Sequence, residues 1–180
     1  MESKTTEINL KKYEKEIIHK YIQGNILDLG CGTGRIYPVL KNKGCYYGID
    51  CVQESIQIAN KNYPNSNFFN MDIQNLKFKN NFFDVVFAGF NVIDEVDDIH
   101  RSLSEIQRVL KPEGLFIFSM HNRYYWRHLF RKHPIQRSGK TIIPRTQSIQ
   151  QMKLLCKKYF SIHKIYGGIL TPYPYFICKK

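Results

Sequence analysis

The feature that most constrains this chain is Ile26-Leu27-Asp28-Leu29-Gly30-Cys31-Gly32-Thr33-Gly34-Arg35, an apolar run that breaks into three alternating glycines. Short apolar runs bounded by turn residues read as buried strands. Glycine lets the backbone turn sharply and approach a ligand with no Cβ in the way. The stretch reads as a buried strand handing over to a helix through a ligand-binding turn. A second run, Tyr47-Gly48-Ile49-Asp50, ends on an acid 20 residues after Gly30. That is the spacing at which a second-strand carboxylate meets ribose hydroxyls in doubly wound folds. The two features together predict a site for a nucleoside-bearing ligand.

Dinucleotide sites use Gly-x-Gly-x-x-Gly, whose helix N-terminus grips an anionic pyrophosphate. Here the glycines alternate, and Asp28 stands two residues before the first. A carboxylate there repels a pyrophosphate and attracts a cation at short range. S-adenosylmethionine carries two cations, an ammonium and a sulfonium. Residues Asp28 to Gly34 match the Asp-x-Gly-x-Gly-x-Gly signature, and the chain resembles the class I, Rossmann-like S-adenosylmethionine-dependent methyltransferases from about residue 21 to 122. Further matches follow in order: Phe68-Phe69-Asn70-Met71-Asp72-Ile73, Phe83-Asp84-Val85-Val86-Phe87-Ala88-Gly89-Phe90-Asn91, and Val109-Leu110-Lys111-Pro112-Glu113-Gly114-Leu115-Phe116-Ile117-Phe118-Ser119.

The resemblance implies an α/β fold: a doubly wound three-layer sandwich on a seven-stranded, mostly parallel sheet, with an antiparallel last strand between the fifth and sixth. It implies a cofactor set of Asp28, Gly30, Cys31, Gly32 and Gly34 in the loop, Asp50 with Cys51 and Val52 after the second strand, and Gly89 with Phe90 after the fourth. Asp72 takes the position that hydrogen-bonds the adenine amino group, Ile73 the backbone N–H that meets the ring, and Val52 lies against the adenine face. The donor is S-adenosyl-L-methionine and the product S-adenosyl-L-homocysteine.

Read from periodicity, helices fall at 8–22, 35–43, 55–62, 99–110 and 146–159, and strands at 26–29, 45–49, 67–70, 83–88, 115–120, 161–166 and 175–178. Gly44 and Pro112 mark helix stops, and Asp97 and Asp98 suit a cap before residue 99. At 180 residues the chain fits one domain. It divides into an N-terminal helix (1–24), a cofactor core (25–120), an insert (121–145) and a C-terminal helix with two strands (146–180). With 43% hydrophobic residues and no apolar run near the ~20 needed to cross a bilayer, a membrane span is not expected. The N-terminus lacks the apolar segment of a secretory signal. Five cysteines, odd in number and without Cys-x-x-Cys, suit reduced thiols in a cytoplasm, and the histidines lack zinc-ligand spacing, so no metal is expected.

The insert 121–145 begins where strand five ends, the edge at which open α/β sheets bind ligands. It mixes aromatics with cations, and Asn91, Arg123, Tyr124, Trp126 and Arg127 are the candidate substrate contacts. A solvated surface loop is the plainer reading. Through Glu113 there are 14 basic residues against 15 acids; from Gly114 onward there are 13 basic residues and no acid. A single-sign surface concentrates counter-ions at the active-site mouth, which points to a small anionic acceptor such as a nucleotide sugar, glycan or metabolite. Nucleic acid is the rival, since basic residues interleaved with aromatics can pair phosphates and stack bases. Against it, no Asn-Pro-Pro-Tyr type sequence follows strand four. A partner subunit that binds the donor without transferring methyl is the third reading. His121 after strand five and Asp94 after strand four are the candidate bases, although a loop histidine and a helix-capping acid are the commoner roles.

Overall fold

The computed structural model describes residues 10–125, 135–137, 140–142, 147–168 and 171–180. Trp126 and Arg127 lie outside them, as does residue 8, where the first helix was expected to start. The helices are α1 (Lys12–Tyr21), α2 (Tyr37–Leu40), α3 (Gln53–Asn62), α4 (Ile99–Val109) and α5 (Ile149–Cys156), with a 3-10 turn at Val92–Glu95. The strands are β1 (Gly24–Leu29), β2 (Gly44–Asp50), β3 (Asn67–Asn70), β4 (Phe83–Ala88), β5 (Leu110–Ser119), β6 (Ile135–Arg137), β7 (Lys140–Ile142), β8 (Ser161–Tyr166) and β9 (Tyr175–Lys179).

Seven strands form one sheet in the order β3-β2-β1-β4-β5-β9-β8. β1 to β5 pair in parallel, and β9 runs antiparallel between β5 and β8. Alternation along each strand sends side chains to opposite faces. Leu27, Val86, Phe116 and Phe118 face Leu103 and Ile106 of α4 and Met152 of α5. Ile26, Val85 and Ile117 face Ile17 and Ile18 of α1 and Ile56 of α3. Helices thus cover both faces, which is why β4 reads as a nearly unbroken apolar run. The rings of Phe116, Phe118 and Phe176 stack at 4.7 and 5.0 Å and tie β9 into the sheet.

Several bounds differ from the sequence reading. The helix expected at 35–43 shrinks to the four residues of α2, because successive turns (Gly34 N–H to Cys31 O, Tyr37 N–H to Gly34 O) use up the start of that segment. β5 begins at Leu110 rather than at 115. Pro112-Glu113-Gly114 forms an irregularity inside the strand, with Glu113 at φ +66° and the pairing to β4 shifted between Phe83 and Val85. The insert expected to be irregular contains the β6–β7 pair, and the last helix is shorter than 146–159, starting where Ser148 caps it by accepting Gln151 N–H at 3.1 Å. The expected cap before residue 99 is Asp98, which accepts Arg101 N–H at 3.0 Å. Asp84, inside β4, accepts Asn25 N–H (2.8 Å) and the Lys111 ammonium (2.7 Å).

Candidate active site

The carboxyl ends of β1, β2, β4 and β5 converge on one edge, and the glycine loop turns there. Gly30 stands at φ +66° and Gly32 at +55°, left-handed values that side chains with a Cβ resist. A Cβ on Gly30 would stand 2.5 Å from Val92, so this glycine lets the loop pack on the segment after β4. A Cβ on Gly32 would meet nothing within 4 Å and would project into open space. That space is a cleft of about 220 Å³ lined by Asp28, Gly30, Cys31, Gly32, Thr33, Arg35, Ile36, Phe90, Val92 and Glu95.

Asp28 is 2% exposed, and burial pushes its carboxyl up to about 7. The Tyr46 hydroxyl opposes that rise by donating to Asp28 Oδ2 at 2.6 Å. The register explains how they meet. Asp28 pairs with Gly48 on β2, and the missing Gly48 side chain leaves room for the Tyr46 ring to bring its hydroxyl across. An acid held this far from water is stabilised in its charged form by an arriving cation. The other acid of the cleft is Glu95, and its cation, Arg35, lies 3.5 Å over the Phe90 ring. Phe90 and Asn91 both carry positive φ, +59° and +64°, an uncommon backbone for residues with side chains and one that clusters at functional sites.

Asp50 is buried, and each of its oxygens accepts one backbone N–H at 2.9 Å, Gly32 on one side and Val52 on the other. It braces the loop, and the second lone pair of each oxygen remains. Asp72 is exposed and accepts Gln74 N–H at 2.8 Å. Ile73 packs against the core beside it. Cys51 is exposed; Gly34 packs on Tyr63 and Phe68, and Gly89 on the Phe87 ring, so neither glycine lines the cleft. Among the described residues no group of three His, Cys, Asp or Glu could hold a metal ion, and no helix is long and apolar enough to cross a membrane.

The two base candidates, 27 residues apart in sequence, meet. Asp94 is 2% exposed; its Oδ2 accepts the His121 backbone N–H at 2.5 Å and lies 2.9 Å from the ring Nδ1. Burial raises the Asp94 carboxyl to about 6 against the pull of these bonds. The His121 ring is one-fifth exposed and sits edge-on to Tyr173. Of the candidate substrate contacts, Asn91 stands beside Ser119, whose Oγ accepts its N–H at 3.0 Å, while Arg123 and Tyr124 are exposed. Sequence reasoning did not reach Tyr46, Thr33, Arg35, Ile36, Val92 or Glu95. Thr33 and Arg35 lie within the loop motif itself and carried a usable signal; Tyr46 did not, because its role depends on strand register.

A model of the methyltransferase domain matches residues 27–118 of this chain. An uncharacterized protein of Methanocaldococcus jannaschii is 38% identical over 113 residues, which are 62% of this chain and 43% of that protein. A demethylmenaquinone methyltransferase of Thermotoga maritima is 30% identical over 112 residues, 59% of this chain and 48% of that one. The chain thus spans under half the length of the curated relatives it matches. A solved S-adenosylmethionine-dependent methyltransferase of Methanosarcina mazei shares the fold with a TM-score of 0.75 at 22% identity, over 96% of this chain and 99% of that one. With the domain model covering half its length and the glycine loop, acidic cleft and strand order described above, this chain belongs to the methyltransferase-domain family.

Proposed function

We propose that the chain moves a methyl group from S-adenosylmethionine to an oxygen or nitrogen of a small anionic acceptor. The observation that carries the donor half is the cleft at the end of β1, where a desolvated Asp28 faces open space at Gly32. In this reading Asp28 pairs with the donor's ammonium, and Gly30 and Gly32 let the backbone come close. Arg35 leaves the Phe90 ring for the donor's carboxylate. Asp50 uses its remaining lone pairs on the ribose hydroxyls, and Asp72, Ile73, Cys51 and Val52 surround the adenine. The donor supplies an electrophilic methyl carried on a positively charged sulfur.

The protein's task is alignment, exclusion of water and removal of a proton. With Asp94 ionised, His121 donates from Nδ1, which places the basic lone pair of the ring on Nε2, the atom that takes the acceptor's proton in this reading. Asp94 is a positioning residue that fixes this tautomer. Transfer should therefore rise with pH through about 6, where Asp94 ionises. The basic run after Gly114, free of acids, supports an anionic acceptor through steering.

The experiment is transfer of labelled methyl to a panel of nucleotide sugars, phosphorylated and carboxylated metabolites and their neutral analogues at rising salt. Short RNA and demethylmenaquinone, the compound in the Thermotoga relative's name, are added arms. Turnover on an anion that falls with salt, and falls at least tenfold in His121→Asn, supports the reading. Salt-insensitive turnover of a neutral acceptor, preferred turnover of RNA, or donor binding with no product on any arm overturns it.

A further inference from the structure

Among the described residues, three buried side-chain polar atoms lack a hydrogen-bond partner: Tyr13 Oη, Asn91 Oδ1 and Asp94 Oδ1. Buried polar groups in folded proteins are nearly all paired, and each exception asks for an explanation. All three belong to one connected patch at the carboxyl edge of the sheet. Asp94 N–H donates to Asn91 O (3.1 Å), and Asn91 N–H to Ser119 Oγ. Ser119 stands opposite Tyr175 across the β5–β9 pair, and the Tyr175 ring meets Tyr13 edge-on at 6.0 Å. On the other side His121, held by Asp94, abuts Tyr173 at 5.4 Å, and the Lys11 ammonium lies 4.8 Å over Tyr173 and 5.6 Å from the Tyr13 ring. The contacts close into a ring.

α1 brings its part of that ring into place through Glu14. Its Oε2 accepts Lys11 N–H at 2.7 Å, and its Oε1 is bonded to the Tyr175 hydroxyl at 3.3 Å. Glu14 is thereby occupied, while the ammonium of Lys11 stays exposed at the rim. The unsatisfied atoms have complementary needs. Asn91 Oδ1 and an ionised Asp94 Oδ1 can only accept, whereas Tyr13 Oη and Lys11 can donate.

We propose that Lys11, at the N-cap of α1, and Tyr13 in its first turn, together with Asn91 and Asp94, form the acceptor-recognition subsite. Its ligand is a compact molecule with an anionic group at one end and a hydroxyl or amine N–H at the other. The anionic group meets Lys11 and the Tyr13 hydroxyl; the N–H or O–H points at Asn91, Asp94 and the His121 ring, where its proton is taken. The flanking rings of Tyr13 and Tyr173 favour a flat body between the two ends. This rests on the methyl-transfer reading and moves acceptor recognition from the insert to α1.

The test is NMR titration of isotope-labelled protein, free and saturated with S-adenosylhomocysteine, with 4-hydroxybenzoate, 4-hydroxyphenyl phosphate and the neutral 4-hydroxybenzamide. The acid and the phosphate ester distinguish which anion is preferred. At least one anionic probe should shift the Asn91 side-chain amide and the His121 ring, and bind at least fivefold more tightly than the amide. Lys11→Met should abolish that preference, and Tyr13→Phe should weaken the anionic probes severalfold while leaving the melting temperature unchanged or higher, since it deletes an unpaired buried hydroxyl. A merely structural Tyr13 would instead lower the melting temperature and leave probe binding alone. Equal binding of acid, ester and amide, shifts confined to other parts of the protein, no shifts at all, or indifference to Lys11→Met overturns the proposal. Failure of S-adenosylhomocysteine itself to bind, seen in the same titration, would instead count against the donor cleft.

Discussion

Replacing Tyr46 by Phe isolates the electrostatics of the donor cleft. In the wild-type protein Asp28 titrates at about 7, lifted by burial and held down by the Tyr46 hydroxyl. A ligand ammonium requires the carboxylate, so below that pH binding must release a proton. The dissociation constant for S-adenosylhomocysteine should then be roughly tenfold weaker at pH 6 than at pH 8. A hydrogen bond to a charged group contributes about 1.5–3 kcal/mol. Taking ~2 kcal/mol, its loss favours the protonated acid by roughly 30-fold. Tyr46→Phe should therefore bind about tenfold more weakly than wild type near pH 7, and the gap should close to within about twofold by pH 9, where both carboxyls are ionised. Titration calorimetry at four pH values measures this, and the ratio of variant to wild type cancels the ligand's own titration. A wild-type constant that is flat from pH 6 to 8, or a variant deficit equal at every pH, would refute the argument.

The same burial makes a stability prediction. Because the folded carboxyl titrates at about 7 against an ordinary value of 3.8, the native state holds a proton that the unfolded chain has released, so stability falls as pH rises from about 4 to 7. Asp28→Asn should raise the melting temperature at pH 8 by several degrees, about 2 kcal/mol, while abolishing donor binding; scanning calorimetry beside a binding assay checks both. The two loop glycines should separate folding from function. Gly32→Ala should cost about 1–2 kcal/mol for its left-handed backbone and remove donor binding, whereas Gly30→Ala also collides with Val92 and should cost more in urea unfolding. Arg108, half-exposed, donates to Leu76 O and Phe78 O and pairs with Glu105 at 2.8 Å, anchoring the segment that follows Asp72. Arg108→Ala should destabilise by about 1–2 kcal/mol and raise the dissociation constant for the adenosyl ligand only modestly.

Much of the candidate cleft at the end of β1 was legible from residue types because its demands are local. A glycine at positive φ, an acid two residues before it and an apolar run ahead of both are properties of ten consecutive residues, and β1, β3 and β4 lie within two residues of where periodicity put them. What the local pattern misjudged was extent. The turn hydrogen bonds after Gly34 shorten α2, and the pairing of Leu110 with Phe83 pulls β5 upstream of its proline. The first is a competition between local turns and the helix, and the second is decided by a partner distant in sequence. His121 and Asp94 were legible only as separate candidates, with nothing to say that one holds the other.

The chain's own order of residues determined the strand–turn–helix unit, the alternation of elements and the acidic character of the cleft at the end of β1, since short-range sterics and hydrophobic burial act on each segment by itself. Tertiary structure decided which side chains meet. β9 enters beside β5 and delivers Tyr173 and Tyr175 to the first helix; the parallel register sets Gly48 opposite Asp28 and so lets Tyr46 reach it. Such meetings join residues as far apart as Tyr13 and Tyr175. They arise from packing and strand register, long-range pairings that no window of neighbouring residues contains.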